Sequence, residues 1–129
     1  MSYYVEAQRR TLKAVITVGS RQGYTSIRQF SIDKVVEAVS GISKDIEAHG
    51  KRPMSAIITE GMLITRTRIG EYREKVYQVN LAWSPRNQEM LEQEFLHTAS
   101  EYAQELGKRL KQERVYMDIS GDTIVFRQT

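Results

Sequence analysis

The 129-residue chain has no cysteine, two prolines, two histidines and one tryptophan. Lack of cysteine excludes disulfides, thiolate zinc sites, iron–sulfur clusters and a cysteine nucleophile. Neither His49 nor His97 has a second histidine three or four residues on, so no paired-histidine metal motif is present, and we read both as surface or boundary residues. His97 follows Glu94 by three residues, a spacing that allows a hydrogen bond within a helix. No apolar run approaches the roughly 20 residues of a membrane span. The opening MSYYVEAQRR lacks the apolar core of a secretory leader, so we expect a cytoplasmic protein with no membrane association. P-loop, nucleophile-elbow and dinucleotide-binding glycine patterns are also missing.

What remains is ordinary for one globular domain: 40% apolar and 27% charged residues. The net charge of +3 permits an anionic partner but is small for a dedicated nucleic-acid binder.

Residues 12–18, LKAVITV, alternate with a period of two and predict a first strand, closed by the turn formers of GSRQGYTS. From Ser31, a candidate N-cap, Ile32, Val35, Val36, Val39, Ile42 and Ile46 line one face of a helix that stops at Gly50. Gly41 and several β-branched residues lower the intrinsic propensity of this helix. Residues 54–67 predict a long strand in which Gly61 suggests a bulge, and Gly70 marks a hairpin loop. The return strand, 74–83, sets Tyr77, Val79, Leu81 and Trp83 against Gln78, Asn80 and Ala82. A second helix is expected over 87–114, with acids in its first two-thirds and Lys108, Arg109, Lys111 and Arg114 at its end, as the helix dipole favours. At that length it would span about 40 Å, against about 23 Å for the first strand, so we expect it to overhang the sheet or bend near Gly107. VYMDI, SGD and TIVFRQ then read as strand, turn and strand.

The order is β-α-β-β-α-β with an extra C-terminal strand. We expect an α+β, ferredoxin-like split βαβ fold, with residues 1–11 as an N-terminal extension and 12–129 as a single domain. Two helices then cover one face of an antiparallel sheet and leave the other open.

The sharpest charge cluster is ITRTRIGEYREK, where Arg66, Arg68, Arg73 and Lys75 gather at the hairpin tip. Arginine suits bidentate contact with phosphate or carboxylate, while charged hairpins also protect sheet edges from aggregation. Arg21, in the glycine-flanked loop between Gly19 and Gly23, is a second candidate for anion contact. Lys13, Val15, Thr17, Gln78, Asn80, Tyr116 and Asp118 are expected on the open face, which is poor in the aromatic rings that stack RNA bases and so argues against nucleic acid. In the second strand either parity could face out, with Glu60 a candidate. Tyr3, Tyr4 and Tyr24 stand in irregular segments as possible anchors for a ligand or partner.

Gly19 at the end of the first strand, the long hairpin ITRTRIGEYREKVYQV, and a helix running into KRLKQERVYMDI and a short closing strand resemble an uncharacterised family of small bacterial ferredoxin-like domains. The resemblance covers residues 12–127. It implies the fold but no activity, and this chain lacks the leader that many of those proteins carry.

These features favour a non-enzymatic, homo-oligomeric protein that binds a small anionic, phosphorylated or nucleotide-like ligand without a cofactor or metal, through Arg66, Arg68, Arg73, Arg21, Lys13 and Asn80. The alternative is a protein-interaction module, an immunity, inhibitor or assembly factor that sets its basic hairpin against an acidic protein. A third reading is an enzyme using Glu60 or Asp118 with a tyrosine as acid and base.

Overall fold

The structure, a computed structural model, describes residues 1–6, 8, 11–21, 28–82 and 90–129. The elements in chain order are β1 (Lys13–Gly19), α1 (Ile32–Ala48), β2 (Ser55–Thr67), β3 (Gly70–Ala82), α2 (Glu92–Arg109), β4 (Arg114–Ile119) and β5 (Asp122–Arg127). The strands form one antiparallel sheet in the order β2-β3-β1-β4-β5. This is the split βαβ arrangement with β5 added outside β4, as the element order predicts.

The period-two patterns decide which face is covered. Ala14, Ile16 and Val18 of β1, Tyr77, Val79 and Leu81 of β3, and Val115, Met117 and Ile119 of β4 are buried in one cluster with the apolar stripes of α1 and α2. Val35, Ile42 and Ile46 come from α1; Phe95, Ala99, Tyr102 and Leu106 come from α2. The Tyr102 hydroxyl lies inside this core, 2.8 Å from Ser43 Oγ, and accepts the Met54 backbone N–H at 3.1 Å. Both helices therefore pack on one side. No helix among the described residues is long and apolar enough to cross a membrane.

Three expectations are corrected. Gly61 makes no bulge, because the β2–β3 register runs unbroken from Ser55↔Ala82 through Gly61↔Val76 to Thr67↔Gly70. β3 begins at Gly70 rather than at residue 74, since the hairpin turns tightly through Arg68 and Ile69 and Gly70 takes a φ of 137° there. The second helix is 18 residues long, about 27 Å, rather than about 40 Å. It stops at Arg109, and Lys111, with φ 53°, turns the chain into β4.

The hairpin projects beyond the central strand. β1 pairs with β3 only from Val76 to Ala82, and beyond Val76 the β2–β3 ribbon continues as a two-stranded arm. Met62, Leu63, Ile64, Ile69 and Tyr72 of this arm are exposed. The β4–β5 hairpin turns through Ser120 and Gly121, with φ of 50° and 84°, the left-handed pair that fits a two-residue connection. Trp83, Ser84, Pro85 and the start expected for the second helix at residue 87 lie outside the described residues.

Candidate functional site

The open face of the sheet carries a notch at the corner where the arm leaves β1. β1 ends at Gly19 while β3 runs on, so Tyr72 and Glu74 stand beyond the end of the central strand. On the other side β4 enters at Arg114, with Tyr116 opposite Thr17. The turn after α2 closes the end with Gln112 and Glu113. The cavity bounded by these groups measures about 470 Å³, with Leu63 and Val76 as apolar walls. Its mixture of apolar surface and a few converging polar groups is the usual make-up of a small-molecule site.

The residues around the notch are held by specific contacts. Gln112, 9% exposed, accepts the Gly19 N–H at 3.0 Å and donates from Nε2 to the carbonyls of Arg21 at 2.8 Å and Leu110 at 3.2 Å. This one amide joins the end of β1 to the turn before β4. The Tyr72 hydroxyl donates to Glu74 Oε2 at 3.0 Å. The glycine at residue 19 leaves room for the Glu74 carboxylate, whose Oε1 would stand 2.6 Å from a Cβ there. The chain past Gly19 stays in contact with the arm through Ser20 N–H, which donates to the Lys75 carbonyl at 3.2 Å. Arg21 then bridges to Gln29.

Of the six residues expected to grip a ligand, only Arg21 lines this cavity. Lys13 and Asn80 share the open face but lie toward its other end, paired with Ala82 and with Val15 and Ile57; Asn80 Nδ2 donates to the Ile57 carbonyl at 3.1 Å. Arg66 and Arg73 belong to the opposite face of the arm, since Arg66 has the parity of Ile58 and Arg73 that of buried Tyr77. Arg68 sits in the turn. Arg73 is held by Glu71, with 2.6 Å between Nε and Oε2. The arginines of the hairpin thus share a tip but do not converge on the notch.

The carboxylates considered for acid–base work are separated too. Glu60 is opposite Tyr77 on the helix side and 3.8 Å from Lys75. Asp118 is on the open face, where its Oδ1 accepts from Thr123 at 2.7 Å. Tyr77 donates its hydroxyl to the Phe30 carbonyl at 2.6 Å and stacks on the Phe30 ring. Burial, and secondarily the charge of Glu60, raise its pKa above the ordinary tyrosine value. His97 pairs with Glu101 at 2.9 Å rather than with Glu94, whose carboxylate is taken by Arg52. His49 caps its own helix through the Asp45 carbonyl at 2.7 Å. Tyr3 and Tyr4 are exposed; Tyr24 and Gly23 lie outside the described residues.

Sequence reasoning placed Thr17 and Tyr116 on the open face and missed Tyr72, Glu74 and Gln112. Tyr72 and Glu74 continue the parity of Gln78 and Asn80, and extending β3 back to Gly70 would have exposed them.

Neither family models nor curated proteins match the chain. Solved structures do. A phage SAM lyase in complex with S-methyl-5'-thioadenosine superposes with a TM-score of 0.74 at 19% identity, covering 98% of this chain and 97% of that one. A phage SAM lyase in its apo state gives 0.63 at 16% identity, over 91% and 89% of the two chains. At this identity the likeness shows a shared fold. It also corrects the expectation of a non-enzymatic binder of a small anionic, phosphorylated or nucleotide-like ligand: both of these solved chains are of an enzyme, one of them with a small nucleoside bound.

Proposed function

We propose that this chain is an enzyme that cleaves S-adenosylmethionine to S-methyl-5'-thioadenosine, with the notch as its active site. The observation that carries the reading is the end-to-end likeness to a lyase bound to that nucleoside. The notch supports it chemically, offering tyrosines and apolar walls for an adenosine together with charged groups for an amino-acid chain.

The product keeps the methyl group and the adenosine, so the bond that breaks joins sulfur to the four-carbon amino-acid chain. Its electron pair returns to sulfur, which loses its positive charge and departs as a neutral thioether, while an oxygen of the substrate's own α-carboxylate bonds to the γ-carbon that sulfur leaves and closes a five-membered lactone, so no external nucleophile is consumed. No acid is needed to protonate such a leaving group. The site has to orient the amino-acid chain and exclude water, which would otherwise divert cleavage to hydrolysis. A carboxylate against the sulfur would stabilise the charged ground state more than the transition state, in which that charge is vanishing. Glu74 therefore serves best against a hydrogen-bond donor elsewhere on the substrate.

The notch is open on its outer side, and the arm beside it shows apolar side chains on both faces: Leu63 and Tyr72 on the open face, Met62 and Ile64 on the other. A second copy packed along the arm would cover these residues and close the notch, so the active form in this reading is a homo-oligomer. Its place in this reading is the cytoplasm.

The test is to incubate the purified chain with S-adenosylmethionine and follow the nucleoside products by chromatography. S-methyl-5'-thioadenosine should accumulate with no external co-substrate, and Glu74→Gln should slow its release at least about tenfold. Unchanged substrate, with no thermal stabilisation by S-methyl-5'-thioadenosine, would overturn the proposal.

A further inference from the structure

Arg21 differs from the ion-paired arginines of the described residues. Arg52 pairs with Glu94, Arg73 with Glu71 and Arg109 with Asp45. Arg21 has no carboxylate within ion-pairing distance among the described residues. Its Nε is buried and has no hydrogen-bond partner there. A buried guanidinium donor without an acceptor is unfavourable and rare in native folds, and at a cavity wall the missing acceptor is a natural role for a ligand.

The backbone around Arg21 is fixed. Gln112 holds its carbonyl and the N–H of Gly19, and the bridge to Gln29 holds it from the other side. With Gly19 opposite Val76 and Ser20 bonded to Lys75, the chain leading to Arg21 runs beside the strand that carries Glu74. Cation and anion both line the notch, and no ion pair joins them. One oxygen of Glu74 is taken by Tyr72, and the other points toward the space left by the missing side chain of Gly19.

Resting on the reading of the notch as an adenosyl site, we infer that Arg21 and Glu74 form a subsite for an α-amino-acid zwitterion. Arg21 receives the α-carboxylate in a forked contact, and Glu74 Oε1 accepts from the α-ammonium. The two charges of the substrate's amino-acid end are complementary to the two of the site, and neither protein group needs to break an ion pair first. Selectivity follows: the site should discriminate ligands by an intact amino-acid end, and Arg21 and Glu74 are its specificity-determining residues.

The experiment compares two stable nucleosides by titration calorimetry: S-adenosylhomocysteine, which has the amino-acid end and a neutral sulfur, and S-methyl-5'-thioadenosine, which lacks that end. The wild-type chain should bind the first at least about tenfold more tightly. Arg21→Met should bring the two affinities together by weakening only S-adenosylhomocysteine, with Arg21→Lys recovering part of the difference. Glu74→Gln, whose shape is conserved, should narrow the gap in the same way and serves if Arg21→Met does not fold. Equal wild-type affinities, or an Arg21→Met chain that is folded by circular dichroism and weakens both ligands alike, would overturn the subsite while leaving the adenosyl reading intact. Failure of the wild-type chain to bind either nucleoside would overturn both.

Discussion

The Glu74 carboxylate occupies space that any side chain at residue 19 would claim: a Cβ on Gly19 would lie 2.6 Å from Glu74 Oε1 and 3.4 Å from Gln112 Oε1. Gly19→Ala therefore acts on the site rather than on the fold. The clashing atom is the far end of a flexible side chain that can swing outward, and alanine restricts the unfolded chain more than glycine does. Stability should change by less than about 1 kcal/mol in denaturant titration. Nucleoside release from S-adenosylmethionine should fall at least about tenfold, because the carboxylate is displaced. A fully active Gly19→Ala chain would remove Glu74 from the mechanism.

Tyr102 links α2 to α1 and to the segment leading into β2 through one buried hydroxyl. Tyr102→Phe preserves the ring in the core but leaves the Met54 N–H without its acceptor, and should destabilise the chain by about 1–3 kcal/mol. Ser43→Ala removes only the other partner and leaves the Met54 bond in place, so it should cost about 1 kcal/mol or less. The order of the two effects in urea unfolding is the check. Equal losses would show that Ser43, not Met54, carries the interaction.

The covered face was legible in the sequence because alternation and the three-to-four spacing are local signals: Ala14, Ile16 and Val18, or Phe95, Ala99 and Tyr102, announce their own side. The site was not, because it is made by strands of unequal length. Nothing local in EYREK says that Tyr72 and Glu74 run past the end of β1, and nothing in KQER says that Gln112 folds back onto Gly19. Charge density drew attention to Arg66, Arg68 and Arg73, yet the parity of the hairpin turns Arg66 and Arg73 to the opposite face and the tight turn takes Arg68. Gly41 shows the same limit. It weakens α1 as a local residue, and its reason is nonlocal, since a Cβ there would meet the Arg109 guanidinium that reaches across to Asp45.

Tyr77 predicts an alkaline dependence of stability. Burial and the nearby charge of Glu60 raise its folded-state pKa above the ordinary value near 10. Below about pH 10 the folded and unfolded chains both hold the phenolic proton, and this residue adds no slope. Above it the unfolded tyrosine ionises first, and the stability contributed by the protonated form is lost as pH rises through the folded-state value. Urea midpoints between about pH 8 and pH 11 should fall more steeply for the wild-type chain than for Tyr77→Phe. Identical slopes would show that Tyr77 titrates alike in both states. Tyr77→Phe should also lower stability by about 1 kcal/mol at neutral pH, from loss of the bond to the Phe30 carbonyl.

The arm offers the most direct test of assembly. An isolated two-stranded ribbon is at best marginal in water, and this one leaves Leu63 and Ile64 about half exposed on opposite faces. If the chain acted alone, Leu63→Glu and Ile64→Glu would be ordinary surface changes, each shifting stability by about 0.5 kcal/mol or less. If a second copy covers the arm, each substitution places a charge in an apolar interface. Light scattering should then give a multiple of 14.9 kDa for the wild-type chain and 14.9 kDa for the variants. The wild-type unfolding midpoint should rise with protein concentration and the variants' should not, as mass action requires of an oligomer. A wild-type chain of single mass at tens of micromolar, with a concentration-independent midpoint, would mean that the notch works open to solvent and that the apolar arm has another purpose.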